Sequence, residues 1–230
     1  MRHSGLWFAV MVITLLVSMS VIALRRLDLN LAFVSISGEI TEAERVDLSR
    51  LIVEHKDEID GPADVKRIIS QVRWIHHVDV ARAWPDSLAV TVVTERPIAY
   101  WNDEDFINDE GKVFFSPYVV GGELAQLHGP AGTEREAMQQ YQQLNKVLLG
   151  SGLSIDTLVL DERSAWQFTT GNGITVLLGK DDIMERLQRF LIVMDDADLA
   201  SRLAEVERID TRYPNGMAVS WKNTARARND

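Results

Sequence analysis

Cysteine is missing from all 230 residues of this chain. That excludes disulfides, thiolate nucleophiles and sulfur-ligated metal sites together, and leaves the redox compartment open. Basic charge is also scarce. Lys and Arg number 24 against 34 Asp and Glu, for a net charge of −10. Arg2, Arg25 and Arg26 face no acid within the first 26 residues, so the remainder carries −13. A body this acidic, without a basic stripe, repels phosphate backbones, and nucleic-acid binding is excluded. No low-complexity tract interrupts a composition of 46% apolar and 25% charged residues, which is that of a folded protein.

The usual marks of catalysis are thin as well. The five histidines are His3, His55, His76, His77 and His128, and none stands in a ligand spacing such as His-Glu-x-x-His. His76 and His77 open a strand, where neighbours point to opposite faces, so one is expected at an edge and one packed. Gly171-Asn172-Gly173 lacks the third glycine and the strand-to-helix context of a dinucleotide loop, and reads as a hairpin turn. Ser151 lies in LLGSGLS, a helix ending rather than a nucleophile elbow. The sequence predicts no catalytic residue, no cofactor and no metal. The best enzyme candidates are acidic clusters, NDEDF at 102–106, NDEG at 108–111 and DDAD at 195–198. They could pair carboxylates for glycan hydrolysis, with Asp103 and Asp109 as candidates, but Asp and Asn are also what turns require.

What the chain does have is one long apolar run. Leu6 to Leu24 holds 19 residues without a charge. As a helix it spans roughly 28 Å, close to a hydrocarbon core of about 30 Å. Trp7 suits one interface, and Arg25 and Arg26 stop the run at the other end. A cleaved signal peptide would have a shorter apolar core and a small-x-small site at its end. Here the candidate site, Ser18-Met19-Ser20, lies inside the run. A transmembrane helix over 6–24 is expected, with a tail at 1–5 and a linker at 25–32. Charge counting does not fix its orientation.

The body reads as α+β in two domains. In the first, over 33–97, FVSISG is a strand. Thr41-x-x-Glu44 is a capping box opening a helix with Val46, Leu48, Leu51 and Ile52 toward a core. Gly61-Pro62 starts a second helix, with Val65, Ile68, Ile69 and Val72 on one stripe. HVDVARA and SLAVTVVTE are strands joined at Trp-Pro-Asp-Ser, giving the order β-α-α-β-β. The second domain, over 98–222, is expected to be a mostly antiparallel sheet with helices packed on it. Short strands flank Asp-Glu-Gly, and Thr133-x-x-Glu136 reads as a second capping box before a helix ending at Gly150. Two strands meet about Gly-Asn-Gly, and DDIMERLQRFLIVM is an amphipathic helix. Residues 223–230 are a polar tail expected to be flexible.

The last patterned stretch, RIDTRYPNGMAVSW, alternates with period two. Ile209, Thr211, Tyr213, Asn215, Met217, Val219 and Trp221 share one face of an extended strand. Pro214-Asn215-Gly216 breaks into it. The interruption reads as a device blunting a sheet edge, as a hairpin turn, or as an edge kept open for a partner. Most of the six tryptophans are expected in packing. Trp221 stands apart, because little chain follows to cover it.

Three stretches together carry a resemblance. WIHHVDVARAWPDSLAVTVVTERPIAYWND (74–103), LLGKDDIMERLQRF (177–190) and RIDTRYPNGMAVSW (208–221) resemble, in order and spacing, the FtsQ/DivIB family of bacterial cell division proteins. The resemblance implies a single-pass protein of the cell inner membrane at the division septum. Its N-terminus would be cytoplasmic, followed by a periplasmic POTRA domain and then a β domain. The family's longer basic tail is absent from the five residues before Leu6. It implies a non-enzymatic scaffold that binds the FtsB–FtsL pair at the final sheet edge, with other division proteins meeting the POTRA domain. Partner contacts would fall on Tyr213, Asn215, Gly216 and Trp221, with Arg212 and Lys180 near them. Lys180 stands where the family can carry Arg, which weakens a two-pronged carboxylate contact, and Pro214 removes a strand donor. The alternatives are a membrane-anchored envelope hydrolase acting through paired carboxylates, and a POTRA-bearing secretion component.

Overall fold

The computed structural model describes residues 34–84, 87–119, 122–194, 202–214 and 216–222. The apolar run at 6–24, the cluster at 195–198 and the tail at 223–230 lie outside the described residues. Among those described, no helix is long and apolar enough to cross a membrane. The chain divides into two compact units, one ending at Thr94 and one beginning at Glu95.

In the first unit, strand β1 (Val34–Gly38) leads into helix α1 (Glu42–Glu54), and Thr41 caps it as its spacing predicts. The Thr41 N–H donates to Glu44 Oε2 at 2.6 Å, and the Glu44 N–H donates to Thr41 Oγ1 at 3.3 Å. Two of the helix's unpaired donors are satisfied in this way. Helix α2 (Pro62–Ile69) starts on Pro62, then β2 (Ile75–Ala83) and β3 (Ser87–Thr94) form a hairpin. The sheet order is β1-β3-β2, with β1 parallel and β2 antiparallel to β3. Leu48, Ile52, Val65, Ile68 and Ile69 are buried with Val78, Leu88, Val90 and Val92 from the strands. Val46, expected in this core, is instead exposed. His76 and His77 are both exposed, because the pairing slips by one residue between Ile75 and His77 and breaks the simple alternation.

Nine strands make the sheet of the second unit, in the order β12-β11-β10-β9-β8-β7-β4-β5-β6. Its elements are β4 (Ala99–Trp101), β5 (Asp105–Ile107), β6 (Val113–Phe114), β7 (Ala125–His128), α3 (Glu134–Leu149), β8 (Ile155–Leu160), β9 (Trp166–Thr170), β10 (Thr175–Gly179), α4 (Ile183–Met194), β11 (Val206–Asp210) and β12 (Ala218–Trp221). The sheet is mixed. The β4–β7, β7–β8 and β10–β11 pairs are parallel, because α3 joins β7 to β8 and α4 joins β10 to β11 as crossovers. Ala137, Leu144 and Leu148 of α3 and Leu187 and Phe190 of α4 are fully covered against Leu127, Leu158, Phe168, Val176 and Ile209. The capping box expected at Thr133 does not form, since its hydroxyl donates to Pro130 O at 2.7 Å.

The terminal stretch is not one strand. β11 and β12 pair antiparallel, with Ile209 opposite Val219 and Asp210 opposite Ala218. Residues 211–217 therefore connect two strands of a hairpin. The period of two survives within each half: Ile209 and Thr211 are buried, and Met217 and Val219 pack against the core.

The glycines separate two kinds of demand. Gly38 has φ of 135°, and a Cβ there would stand 2.0 Å from the Val92 carbonyl oxygen. A Cβ on Gly216 would meet nothing within 4 Å. Gly38→Ala is expected to destabilise the first unit by more than about 1 kcal/mol. Gly216→Ala is expected to change stability by less than about 0.5 kcal/mol. Urea denaturation followed by tryptophan fluorescence distinguishes them.

Candidate functional site

β12 ends the nine-stranded sheet, and among the described residues β11 is its one neighbour. The Lys222 N–H donates to Glu205 O at 2.7 Å, so residue 222 turns its backbone toward β11. Alternation along an antiparallel strand then puts Ser220 and Ala218 on the same side. The N–H and C=O groups of Val219 and Trp221 are left pointing away from the sheet. That free row is the feature natural proteins either blunt or use.

The connection before β12 is held by one side chain from α4. Arg189 Nη1 donates to Pro214 O at 2.6 Å and Tyr213 O at 3.3 Å, and its Nη2 donates to Thr211 O at 3.4 Å. A planar guanidinium can satisfy three carbonyls in a fixed fork where a lysine could not. Thr211 is fully buried, and its N–H and hydroxyl both donate to Leu177 O, at 3.1 and 2.8 Å. The loop is thus fixed at its start, while Tyr213 is 54% exposed. Tyr213, Pro214, Gly216, Met217 and Ala218 line a shallow depression of about 430 Å³ beside the free edge. Asn215 lies outside the described residues.

Arg212 closes on Asp210. Its Nε donates to Oδ1 at 2.8 Å, its Nη2 to Oδ2 at 2.6 Å, and its N–H to Oδ1 at 3.1 Å. These bonds hold the Asp210 carboxyl below its ordinary value and the guanidinium above its own. The stem of Arg212 runs over Gly179, where φ is 77° and a Cβ would stand 3.2 Å from Arg212 Cγ and 2.6 Å from Arg186 Nη1. Lys180 follows Gly179 directly and is exposed. Lys180 and Arg212, distant in sequence, are brought together by this packing.

Trp221 is 39% exposed at the far end of β12. It is not bare. Cζ of Arg202 lies 4.0 Å from its ring centroid, and Arg202 is held in turn by Glu205 through bonds of 3.2 and 2.9 Å. A cation on the ring face orients the indole. Sequence reasoning missed both Arg189 and Arg202. Nothing in their spacing marks them, because each acts across the fold on a residue of the terminal hairpin.

The two acidic clusters among the described residues do not form one site. Asp103 sits in the β4–β5 turn with a side chain 79% exposed, 3.9 Å from His128. Asp109 lies in the β5–β6 turn, where its carbonyl accepts from Gln142. Asn108 ties that turn together by accepting from the Glu110 and Lys112 N–H groups. Buried Glu95 is occupied by Lys112 and Asn108. A larger concavity of about 580 Å³, lined in part by Glu123, Tyr141, Asn145 and Asp156, contains neither Asp103 nor Asp109. Among the described residues no group of three or more His, Asp or Glu could hold a metal ion.

The sequence model described as "Cell division protein FtsQ/DivIB, C-terminal" matches residues 99–212. The cell division protein FtsQ of Shewanella oneidensis is 34% identical over 192 residues, covering 82% of this chain and 72% of that protein. The chain belongs to the FtsQ/DivIB family. FtsQ of Vibrio cholerae is 29% identical over 202 residues, 78% of this chain and 77% of the relative. FtsQ of Coxiella burnetii is 32% identical over 151 residues, 65% of this chain and 62% of the relative. The family match begins at β4 and ends at Arg212, so in this FtsQ/DivIB chain the exposed loop from Tyr213 and strand β12 lie past it.

The Asp210 contact has a definite pH dependence. Its carboxyl titrates lower in the folded chain than in the unfolded one, so its contribution is present above the ordinary carboxylate value of 3.8. That contribution is lost as pH falls through the depressed value. The stability difference between the native chain and Asp210→Asn should be constant above about pH 5, about 1 kcal/mol for a pair whose Arg212 side is half exposed, and should vanish on acidification. Urea midpoints across pH 2–7 measure it. Separately, Arg189→Ala should speed backbone hydrogen exchange at 211–217 while leaving the helical circular dichroism intact.

Proposed function

We propose that this chain is a non-enzymatic scaffold of the bacterial division complex, and that β12 is its docking strand. A partner segment adds along the free edge, and main-chain hydrogen bonds to Val219 and Trp221 supply the adhesion. Tyr213 and Trp221 stand exposed on either side of that edge as aromatic anchors. Gly216 has no internal reason to lack a side chain, which favours close approach by a foreign backbone. Lys180 and the outer face of Arg212 give the edge a cationic margin suited to an acidic partner residue, although Arg212 already serves Asp210. The observation that carries this reading is the unpaired flank of β12 between two exposed rings.

The family resemblance supports the rest of the assignment. The partner is the FtsB–FtsL pair, and the scaffold links early and late division proteins. Residues 6–24 form a single membrane span, with the bulk of the chain in the periplasm of the inner membrane at the septum. The β-α-α-β-β unit is a POTRA domain with its own contacts to division proteins.

Calorimetry of residues 27–230 with the periplasmic part of FtsB–FtsL tests the reading. Tyr213→Ala and Trp221→Ala should each weaken capture by about 2 kcal/mol, roughly thirtyfold, with circular dichroism unchanged. Folded variants that bind at native affinity would count against the docking strand.

A further inference from the structure

Trp84 was expected in packing and is instead 93% exposed, the most exposed large apolar side chain among the described residues. Trp74, Trp101 and Trp166 are buried, and Trp221 is 39% exposed. Trp84 sits where β2 gives way to β3, directly after Ala83. Neither α1 nor α2 covers it, and the core of the unit is filled without it.

The register of the sheet says where that indole lies. β1 is parallel to β3, with Val34 opposite Leu88 and Gly38 opposite Val92. β2 runs the other way, with Ala83 opposite Ser87. The N-terminal end of β1 and the β2–β3 turn are therefore at the same end of the sheet. Nine residues, 25–33, separate the uncharged run ending at Leu24 from Val34. A chain of that length reaches at most about 36 Å. The opposite end of β2 lies a further nine residues away, about 30 Å along the strand. The tether thus attaches at the end of the sheet that bears Trp84. Arg82, two residues before Trp84, is exposed at the same end.

We infer that Trp84 is an interfacial anchor. Its indole inserts at the headgroup level of the bilayer that residues 6–24 span, and Arg82 meets anionic headgroups beside it. An amphipathic ring is suited to that depth, and a nearby cation adds attraction to anionic lipid. The lipid contact fixes how the first unit stands on the membrane, where the tether alone would leave it free to swing. The inference rests on the reading of 6–24 as a membrane span.

The absence of cysteine makes a clean test possible. The full chain carrying Ala81→Cys, exposed near Trp84, or His77→Cys toward the other end of β2, is labelled with a nitroxide. Each is reconstituted into vesicles of phosphatidylethanolamine and phosphatidylglycerol. Collision with oxygen, which partitions into lipid, is compared with collision with a water-soluble nickel chelate. The label at position 81 should show a higher oxygen-to-nickel ratio than the label at position 77. Adding Trp84→Ala should return it to the aqueous level. A label at 81 as aqueous as that at 77, in protein that floats with the vesicles and resists alkaline extraction, overturns the anchor role of Trp84 alone. Protein that fails to float overturns the membrane span and this inference together.

Discussion

A strand inside a sheet spends its backbone donors and acceptors on two neighbours, whereas among the described residues β12 spends them on one. Everything distinctive about the second unit follows from that unpaired flank. The flank is short, only Ala218–Trp221, which limits unspecific pairing. It is also rigidly presented. Arg189 fixes the loop that leads into it through three carbonyls, Thr211 is tied to Leu177, and Arg202 orients the ring at its end. An edge held in one conformation costs less to bind than one that must be ordered first.

The core behind the edge explains why it can be left open. The nine-stranded sheet is covered by α3 and α4 and centred on Phe168, Phe190, Leu127 and Leu158, all at or below 1% exposure. Phe168 and Phe190 meet edge to face with centroids 5.8 Å apart, linking strand β9 to helix α4. α4 carries both Phe190 and Arg189, so the helix that closes the core also clamps the loop. Stability and presentation of the edge therefore share one element, and a change that loosens α4 reaches both.

Much of this was legible in the chain. The capping box at Thr41, the stripe on α2, the Gly-Asn-Gly hairpin and the amphipathic pattern of α4 all follow from local rules, and local rules suffice where a neighbour is close in sequence. β5, β7 and β8 escaped notice, β7 and β8 because no paired turn signal such as Gly-Asn-Gly marks them out, and β5 because the Asp-Glu-Gly turn that follows it reads equally as a link from β4 to β6. The terminal stretch misled for a subtler reason. Both halves of a hairpin keep the period of two, so the pattern alone does not show that the chain reverses between Thr211 and Met217. Trp84 misled because neighbouring apolar strand residues suggested packing, whereas the turn carries it past the end of the sheet. At the terminal hairpin, Tyr213, Arg212, Gly216 and Trp221 were singled out through the family resemblance. Arg189 and Arg202 were not, since their contacts exist only once the helix and the hairpin have met.

The central claim concerns particular amides, so residue-resolved hydrogen exchange tests it most directly. In residues 27–230 alone, the Val219 and Trp221 N–H groups should exchange freely, while those of Ser220 and Lys222 are protected by β11. Addition of the proposed FtsB–FtsL partner should slow Val219 and Trp221 and leave Ser220 and Lys222 as they were. Protection of Val219 and Trp221 before any partner is present, or partner binding that leaves both amides exchanging freely, would contradict the account.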